Sequence, residues 1–309
     1  MNQEHSIAII IPAYKGRFLG NTLLSMSLQT NKDFCVYIGD DASTDDLKTI
    51  ADEYSDKIDI RYHRFENNLG GKDLTAHWER CIALSSKEPI IWLFSDDDTM
   101  PDDAIQRILD KAAGRYEEDL FMRFPLALID ENNKEFRQNP PFKSECISGY
   151  QFLLDKLSGT IDSAACEYVF TRSLWNKVGH FVKFPVAWCS DDASWALLAE
   201  SSHGIESVYG KPVYWRNATG CNISNSTNYN NPKCEAIVQF ILWIHSFYGF
   251  RSQSAEMKKA LRIYLHNIIK FSLQKNISAL QLYRMCSAMS SISCIDAIRI
   301  YFRHIGYIF

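Results

Sequence analysis

The sequence lacks a long apolar run, a paired set of cysteines and an excess of positive charge, and each absence removes a class of protein. Its longest apolar-looking stretch, Ile237 to Phe250, is 14 residues interrupted by Gln239, His245 and Ser246, too short for an ordinary membrane span. The nine cysteines are an odd, scattered set with no C-x-x-C pair. Neither a disulfide framework nor a zinc site is implied, and a reducing cytoplasm fits best. With 33 Lys and Arg against 37 Asp and Glu, the net charge of −4 gives no overall field that would draw the chain onto nucleic acid or anionic lipid, although a local basic patch stays open. Glycine is scarce, at 14 of 309 residues, and no repeat, low-complexity tract or Pro/Gly-rich linker interrupts the chain. Collagen, coiled coil and disorder are therefore excluded, and the 46% hydrophobic and 23% charged content is that of a packed globular protein. The opening MNQEHSIAIIIPAY has no basic leader and its apolar run stops at Pro12, so it reads as a first core strand and not a signal peptide.

What is present is a rhythm. Ser6–Ile11, Phe34–Gly39, Ile58–His63 and Pro89–Phe94 are apolar runs of strand length. Between them, Phe18–Gln29, Asp45–Tyr54 and Leu74–Ser85 carry helical spacing, and Pro101–Ala113 follows. Alternation of this kind predicts an α/β fold with a mostly parallel sheet and helices on both faces, in which buried strands read as unbroken apolar runs. The middle is less regular: Leu120–Ile129 reads as one strand and Ser148–Leu157 as a Ser-capped helix. From Pro232 onward the pattern is helical, over Cys234–Phe247, Ala255–Gln274 and Ala279–Met289. The final piece, Ile295–Phe309, interleaves Ile298, Tyr301, Phe302, Ile305 and Ile308 with Arg299, Arg303 and His304. It reads either as a C-terminal helix packed on the core or as an amphipathic helix resting on a membrane or partner.

In parallel sheets, binding residues gather at the carboxyl ends of the strands. The second strand here ends in Asp40-Asp41-Ala42-Ser43-Thr44-Asp45 and the fourth in Ser95-Asp96-Asp97-Asp98-Thr99. At ~4 Å and an effective dielectric of about 20, a like-charge contact costs on the order of 4 kcal/mol, so three adjacent carboxylates in a cleft call for a cation. Mg²⁺ or Mn²⁺, which takes one or two carboxylates and completes its shell with water and phosphate oxygens, suits Asp96 and Asp98. The alternative is a solvated loop that caps the following helix.

Taken together, IAIIIPAYKGRFLGNTLLSMSLQTNKDFCVYIGDDASTD, NNLGG and IIWLFSDDDTMPDD resemble, in order and spacing, the motifs of the family 2 glycosyltransferases, inverting enzymes with the GT-A fold. The resemblance covers roughly residues 6–225. It implies a GT-A domain over 1–225, with a nucleotide-binding half (1–115) and an acceptor-binding half (116–225), and a helical region over 226–309. It further implies that Pro12, Ala13 and Tyr14 line the base of a nucleotide diphospho-sugar, with UDP favoured, and that Asp41, or else Asp40, accepts a hydrogen bond from the base. Lys15 stands where the family usually has Asn. The D-x-D pair becomes Asp96 and Asp98, with Asp98 the leading metal ligand and Asp97 the substitute. Lys72, after Gly70-Gly71, either adds positive charge near the phosphates or lies in an ordinary turn.

In Trp188-Cys189-Ser190-Asp191-Asp192, the resemblance makes Asp192 the general base with Asp191 orienting it; without it, Ser190 or Asp191 would read as a helix cap. The family's His-bearing segment matches Val213–Ser224, which has no His, leaving Asn217, water or Arg216 to serve the metal or the phosphates. The Q-x-x-R-W pattern of processive synthases is absent, so transfer of one sugar to a glycan or lipid-linked hydroxyl is expected. The setting implied is bacterial surface-polysaccharide or lipopolysaccharide assembly, in the cytoplasm or peripherally on the membrane's inner face. The rival readings are a nucleotidyltransferase, for which Pro12–Arg17 is a poor basic loop, and an inactive nucleotide-binding or scaffold protein of the same fold.

Overall fold

The computed structural model describes residues 5–218 and 229–307. The chain forms two compact units, Met1–Gly149 with Ser163–Phe181 and Ser194–Asn217 in the first, and Tyr150–Asp162 with Val182–Ala193 and Ala218–Phe309 in the second.

The first unit opens with the expected alternation: β1 (Ile7–Ala13), α1 (Leu19–Ser27), β2 (Phe34–Asp40), α2 (Leu47–Asp52), β3 (Asp59–Arg64), α3 (Leu74–Ile82) and β4 (Ile90–Leu93). Ile7 to Ile11 have no exposed surface, the condition of a parallel strand covered on both faces. β1 runs parallel to β2 on one side and to β4 on the other, with Ile7 opposite both Phe34 and Ile90 and Ala13 opposite Asp40. The chain thus steps outward from β1 to β3 and returns through α3 to the far side of β1, giving the order β3-β2-β1-β4. Reversal at β1 opens a crevice at the carboxyl ends of β1 and β4, the switch point where open α/β sheets take their ligands.

The sheet continues β4-β9-β5-β10-β8 to eight strands. The elements after β4 are α4 (Ala104–Ala112), β5 (Phe121–Arg123), β6 (Leu126–Ile129), β7 (Glu135–Gln138), β8 (Cys146–Ile147), α5 (Gly149–Leu157), β9 (Tyr168–Thr171), α6 (Arg172–Val178), α7 (Ser190–Ser201), β10 (Ile205–Ser207) and β11 (Val213–Arg216). β9 is antiparallel to both β4 and β5. The single strand expected over 120–129 is in fact two. At Phe124-Pro125 the chain leaves the large sheet, proline having no N–H for a ladder, and β6 joins a three-stranded sheet with β11 and β7. α4 starts at Ala104 and not at Pro101, its first turn clamped by buried Gln29, whose Nε2 donates to Pro101 O at 2.7 Å and whose Oε1 accepts from Ile105 N–H at 3.1 Å.

The second unit is helical: α8 (Asn230–Tyr248), α9 (Ala255–Asn267), α10 (Ala279–Ser290) and α11 (Cys294–His304). Ser254, Ser278 and Ser293 each accept from the N–H three residues on, the hydroxyl cap that makes these helix starts legible. The run expected as one helix to Gln274 leaves α geometry at Ile268 and passes through a π-turn, Ile268–Ser272. Among the described residues no helix is long and apolar enough to cross a membrane.

Candidate active site

The acidic turn after β4 lies at the switch point. Asp96 faces back across it, its Oδ2 accepting from the N–H groups of Tyr14 at 2.9 Å and Lys15 at 3.0 Å. Ser43 Oγ donates to Tyr14 O at 2.5 Å and Gly16 N–H to Asp45 Oδ2 at 2.7 Å, so the loop after β1 is pinned from both neighbouring strands. Asp98 is fully buried. Its Oδ1 accepts from Arg216 N–H at 2.8 Å, while Oδ2 makes no hydrogen bond of ordinary geometry, with the Ser95 hydroxyl and the Cys166 thiol beside the carboxyl. Asp97 is half-buried, and its carboxylate makes no hydrogen bond or ion pair among the described residues. Burial pushes all three carboxyl pKa values up, Asp98 to about 6, and repulsion from Asp98 and Asp96 raises Asp97 further.

That environment fits a hard divalent cation: three adjacent carboxyls that repel one another, and one buried carboxylate oxygen without a hydrogen bond of ordinary geometry. No three His, Cys, Asp or Glu side chains among the described residues close around one point. A cation here would draw the rest of its shell from substrate oxygens and water.

Asp40 and Asp41 end β2 as anchored carboxylates. Buried Asp40 accepts from Ser43 N–H at 2.7 Å and Arg64 Nη1 at 2.6 Å, and from the Tyr62 hydroxyl, whose pKa burial and this bond push up to about 12. Asp41 accepts from Leu69 N–H at 2.8 Å, Gly70 N–H at 2.7 Å and the Arg80 guanidinium. Gly70 is required there: a Cβ would stand 2.7 Å from Asp41 Oδ2. Arg80 is itself fixed, stacked 3.7 Å from the Phe65 centroid and donating from Nε to His77 Nδ1 at 3.0 Å. Burial holds His77 well below its usual pKa, which keeps that nitrogen an acceptor.

In the second unit, Asp191 and Asp192 stand in the first turn of α7. Buried Asp192 lies 3.4 Å from Lys156 Nζ. Burial pushes Lys156 down, but Asp192, Asp191 and Asp162 outweigh it and its pKa is raised. Burial, then the neighbouring Asp192 charge, lifts Asp191 to about 7. The pair is therefore asymmetric, one carboxyl facing a cation and the other keeping its proton up to neutrality. Directly before it, Val186, Ala187 and Cys189 all have φ between 51° and 64°, the left-handed region that a β-branched residue adopts only under constraint. The Cys189 Sγ meets the Tyr264 hydroxyl at 2.9 Å, and Lys233 Nζ lies 4.5 Å from the Trp188 ring centroid.

The structure places Arg216 away from an exposed position. Arg216 was a candidate to hold phosphates, but its guanidinium is buried and donates to Asp97 O at 2.7 Å, Asp130 O at 3.0 Å and Asn133 Oδ1 at 2.6 Å, over the Phe18 ring. It is an internal strut behind the acidic turn. Pro12 and Ala13 end β1, Tyr14 is 43% exposed and Lys72 is exposed in the turn before α3. Trp195 lies in the core against Tyr168 and Phe121. Thr219–Ser224 of the segment matched to the family's His-bearing motif lie outside the described residues. Sequence reading missed Arg80, His77 and Lys156, which belong to no motif and meet the aspartates only through folding.

The family profile described as Glycosyl transferase family 2 matches residues 8–176, more than half of the chain. A search of curated proteins finds no match. Among solved structures, S. aureus TarS 1–349 in complex with UDP-GlcNAc matches with a TM-score of 0.70 at 14% identity, over 98% of this chain and 89% of that one. The S. aureus TarS structure without the 1–349 limit matches with a TM-score of 0.67 at 14% identity, over 98% of this chain but 54% of its own. The mannosyltransferase PcManGT from Pyrobaculum calidifontis, in complex with GDP-Man and Mn²⁺, gives 0.51 at 15% identity over 99% and 84%. At these identities the likeness is one of fold, a mostly parallel sheet with surrounding helices and a helical C-terminal region. The sheet reversed at β1, the acidic turn at its switch point and the profile spanning both lead to one conclusion: the chain belongs to glycosyl transferase family 2.

Proposed function

We propose that the protein transfers one sugar, with inversion, from a nucleotide diphospho-sugar to a hydroxyl of a glycan or lipid-linked acceptor. The observation that carries this is the trio Asp96, Asp97 and Asp98, three adjacent carboxyls whose pKa values burial raises, with Asp98 enclosed and Asp97 half-open, on a turn that also holds the loop after β1. Tyr14 and the chain around it take the base. Asp41 Oδ2 accepts one bond from Gly70 and has a lone pair left for the N3–H of a uracil, so a UDP-sugar is favoured. Asp97, whose carboxylate makes no hydrogen bond or ion pair among the described residues, and Asp98 behind it would hold Mg²⁺ or Mn²⁺. Bound there, the ion would neutralise charge on the diphosphate as the glycosidic bond breaks.

By family likeness Asp192 takes the proton of the acceptor hydroxyl, whose oxygen attacks the anomeric carbon while the bond to the diphosphate breaks and the nucleoside diphosphate leaves. Lys156 holds Asp192 in place, and Asp191, whose pKa burial and the Asp192 charge lift to about 7, carries less than a full second charge at neutrality.

Calorimetric titration with UDP, with and without Mn²⁺, tests the reading. Binding that requires Mn²⁺, is lost in Asp97→Asn and persists in Asp192→Asn, which loses turnover, is the expected result. Absence of binding to UDP, GDP and dTDP alike would overturn it.

A further inference from the structure

The −4 net charge conceals a polarity along the chain. Residues 251–309 contain nine Lys and Arg against two Asp and Glu, a net +7, whereas the preceding 250 residues contain 24 against 35, a net −11. Asymmetry of this size marks a segment made for an anionic partner.

The structure shows what the basic segment presents. Helix α11 buries Asp296, Ala297, Ile300 and His304 and leaves Ile295, Ile298 and Phe302 outside, at 65%, 56% and 72% exposure. Positions i, i+3 and i+7 lie on one helical face, so this is a continuous apolar stripe turned away from the core. Arg299 and Arg303 follow along one edge of the stripe, both exposed. At the end of α9, His266 meets Arg303 and His304 of α11 at 3.2 Å each. One turn further on, Phe271 is 62% exposed with Lys270 Nζ 4.8 Å from its ring centroid. A solvent-facing stripe of Ile and Phe is uneconomical unless something covers it, and its basic border sets the sign of that partner.

We propose that α11 and the turn after α9 form a docking surface for an anionic lipid bilayer, lying in the headgroup region with Ile295, Ile298, Phe302 and Phe271 inserted and Lys270, Arg299 and Arg303 at the phosphates. An amphipathic helix of this composition lies in the interface plane, held jointly by apolar burial and by attraction to anionic headgroups. Two other occupants fit less well. A second copy meeting this face isologously would bring two +7 segments together, and a nucleic acid has no use for an aliphatic stripe. The surface is independent of the donor site, so its failure would leave the proposed reaction untouched.

The experiment is flotation of the full chain with vesicles of phosphatidylcholine alone and with about 30% phosphatidylglycerol. Expected is binding to the anionic vesicles that is at least tenfold tighter than to neutral ones and is weakened on raising salt from about 0.1 to about 0.5 M. Arg303→Gln should bind about fivefold more weakly, at ~1 kcal/mol per charge near the surface. Phe302→Ser, and separately Ile298→Ser, should bind tenfold or more weakly with unchanged thermal unfolding, since both side chains lie outside the core. Failure of the wild type to float with anionic vesicles, equal binding to neutral ones, or undiminished binding by both serine variants overturns the proposal. So does a stable dimer abolished by Phe302→Ser, which would make the occupant a second copy.

Discussion

Arg216→Met separates two roles that a buried arginine beside the proposed phosphate site can have. Among the described residues the side chain donates to Asp97 O, Asp130 O and Asn133 Oδ1, and it stacks 4.4 Å from the Phe18 centroid. Hydrogen bonds from a charged donor are worth roughly 1.5–3 kcal/mol each, and the ring contact adds about 1 kcal/mol. Methionine also removes the guanidinium's own desolvation cost, which offsets part of that total. A net loss of about 3 kcal/mol is expected, a sizeable share of an ordinary domain's ~5–15 kcal/mol. The Asp97 carboxyl, which Arg216 draws downward against burial and its neighbours, should rise further. Urea unfolding gives the stability change, and calorimetry with UDP and Mn²⁺, below the unfolding transition, gives the affinity of the molecules still folded. A strut predicts the ~3 kcal/mol loss with UDP affinity within about threefold of wild type. A stability change under about 1 kcal/mol together with affinity weakened more than tenfold would refute the argument and return Arg216 to the phosphates.

Gly70→Ala sets a Cβ 2.7 Å from Asp41 Oδ2, so Asp41 or the 69–70 turn must shift; calorimetry should show UDP binding weakened about tenfold with stability down by about 1–3 kcal/mol. Arg123→Met takes the counter-charge away from Glu167, which has no exposed surface and accepts from Arg123 Nε at 2.5 Å as well as from Ala164 N–H at 2.8 Å, and should cost about 3–5 kcal/mol in denaturant unfolding. Asp191 titrates at about 7 in the folded chain and near 3.8 when unfolded. The folded state therefore holds its proton more tightly, and this contribution is full below about pH 4 and lost as pH rises to about 7. Melting curves of Asp191→Asn should gain on wild type across that window and run parallel above it; a constant offset would show that the shift is absent. Val186→Gly relieves a left-handed β-branched residue at φ 51° and should leave stability unchanged or raised by up to about 1 kcal/mol.

The first four strands and three intervening helices were legible because each is a buried run or an amphipathic stripe whose pattern is local. Their carboxyl-end aspartates were legible for the same reason: the residue after a buried strand is placed by the strand. The split at Pro125 was written in the sequence as a proline inside a strand reading, but not the antiparallel insertion of β9 between β4 and β5, a long-range pairing with no local mark. At the site, residue types pointed to the acidic turn without saying which carboxylate faces outward. Burial shows that: Asp98 is enclosed and Asp97 is half-open. For Arg216, a cation near three carboxylates reads from sequence as a ligand-holder, while the acceptors its guanidinium meets, Asp97 O, Asp130 O and Asn133 Oδ1, come only with the fold.

Asp96 has a consequence for how such a site can evolve. Through two N–H groups it fastens the loop after β1 to the turn after β4, so the segment that would read the base and the segment that would face the diphosphate share one joint. Asp97 carries no such joint. If Asp97 holds a cation as proposed, a lineage can abandon that chemistry by drifting at position 97 while still making abundant, folded protein. Drift at position 96 would disturb both halves of the crevice and lower protein yield along with activity. The two neighbouring aspartates should thus leave different genetic signatures, position 97 in activity alone and position 96 in abundance and activity together.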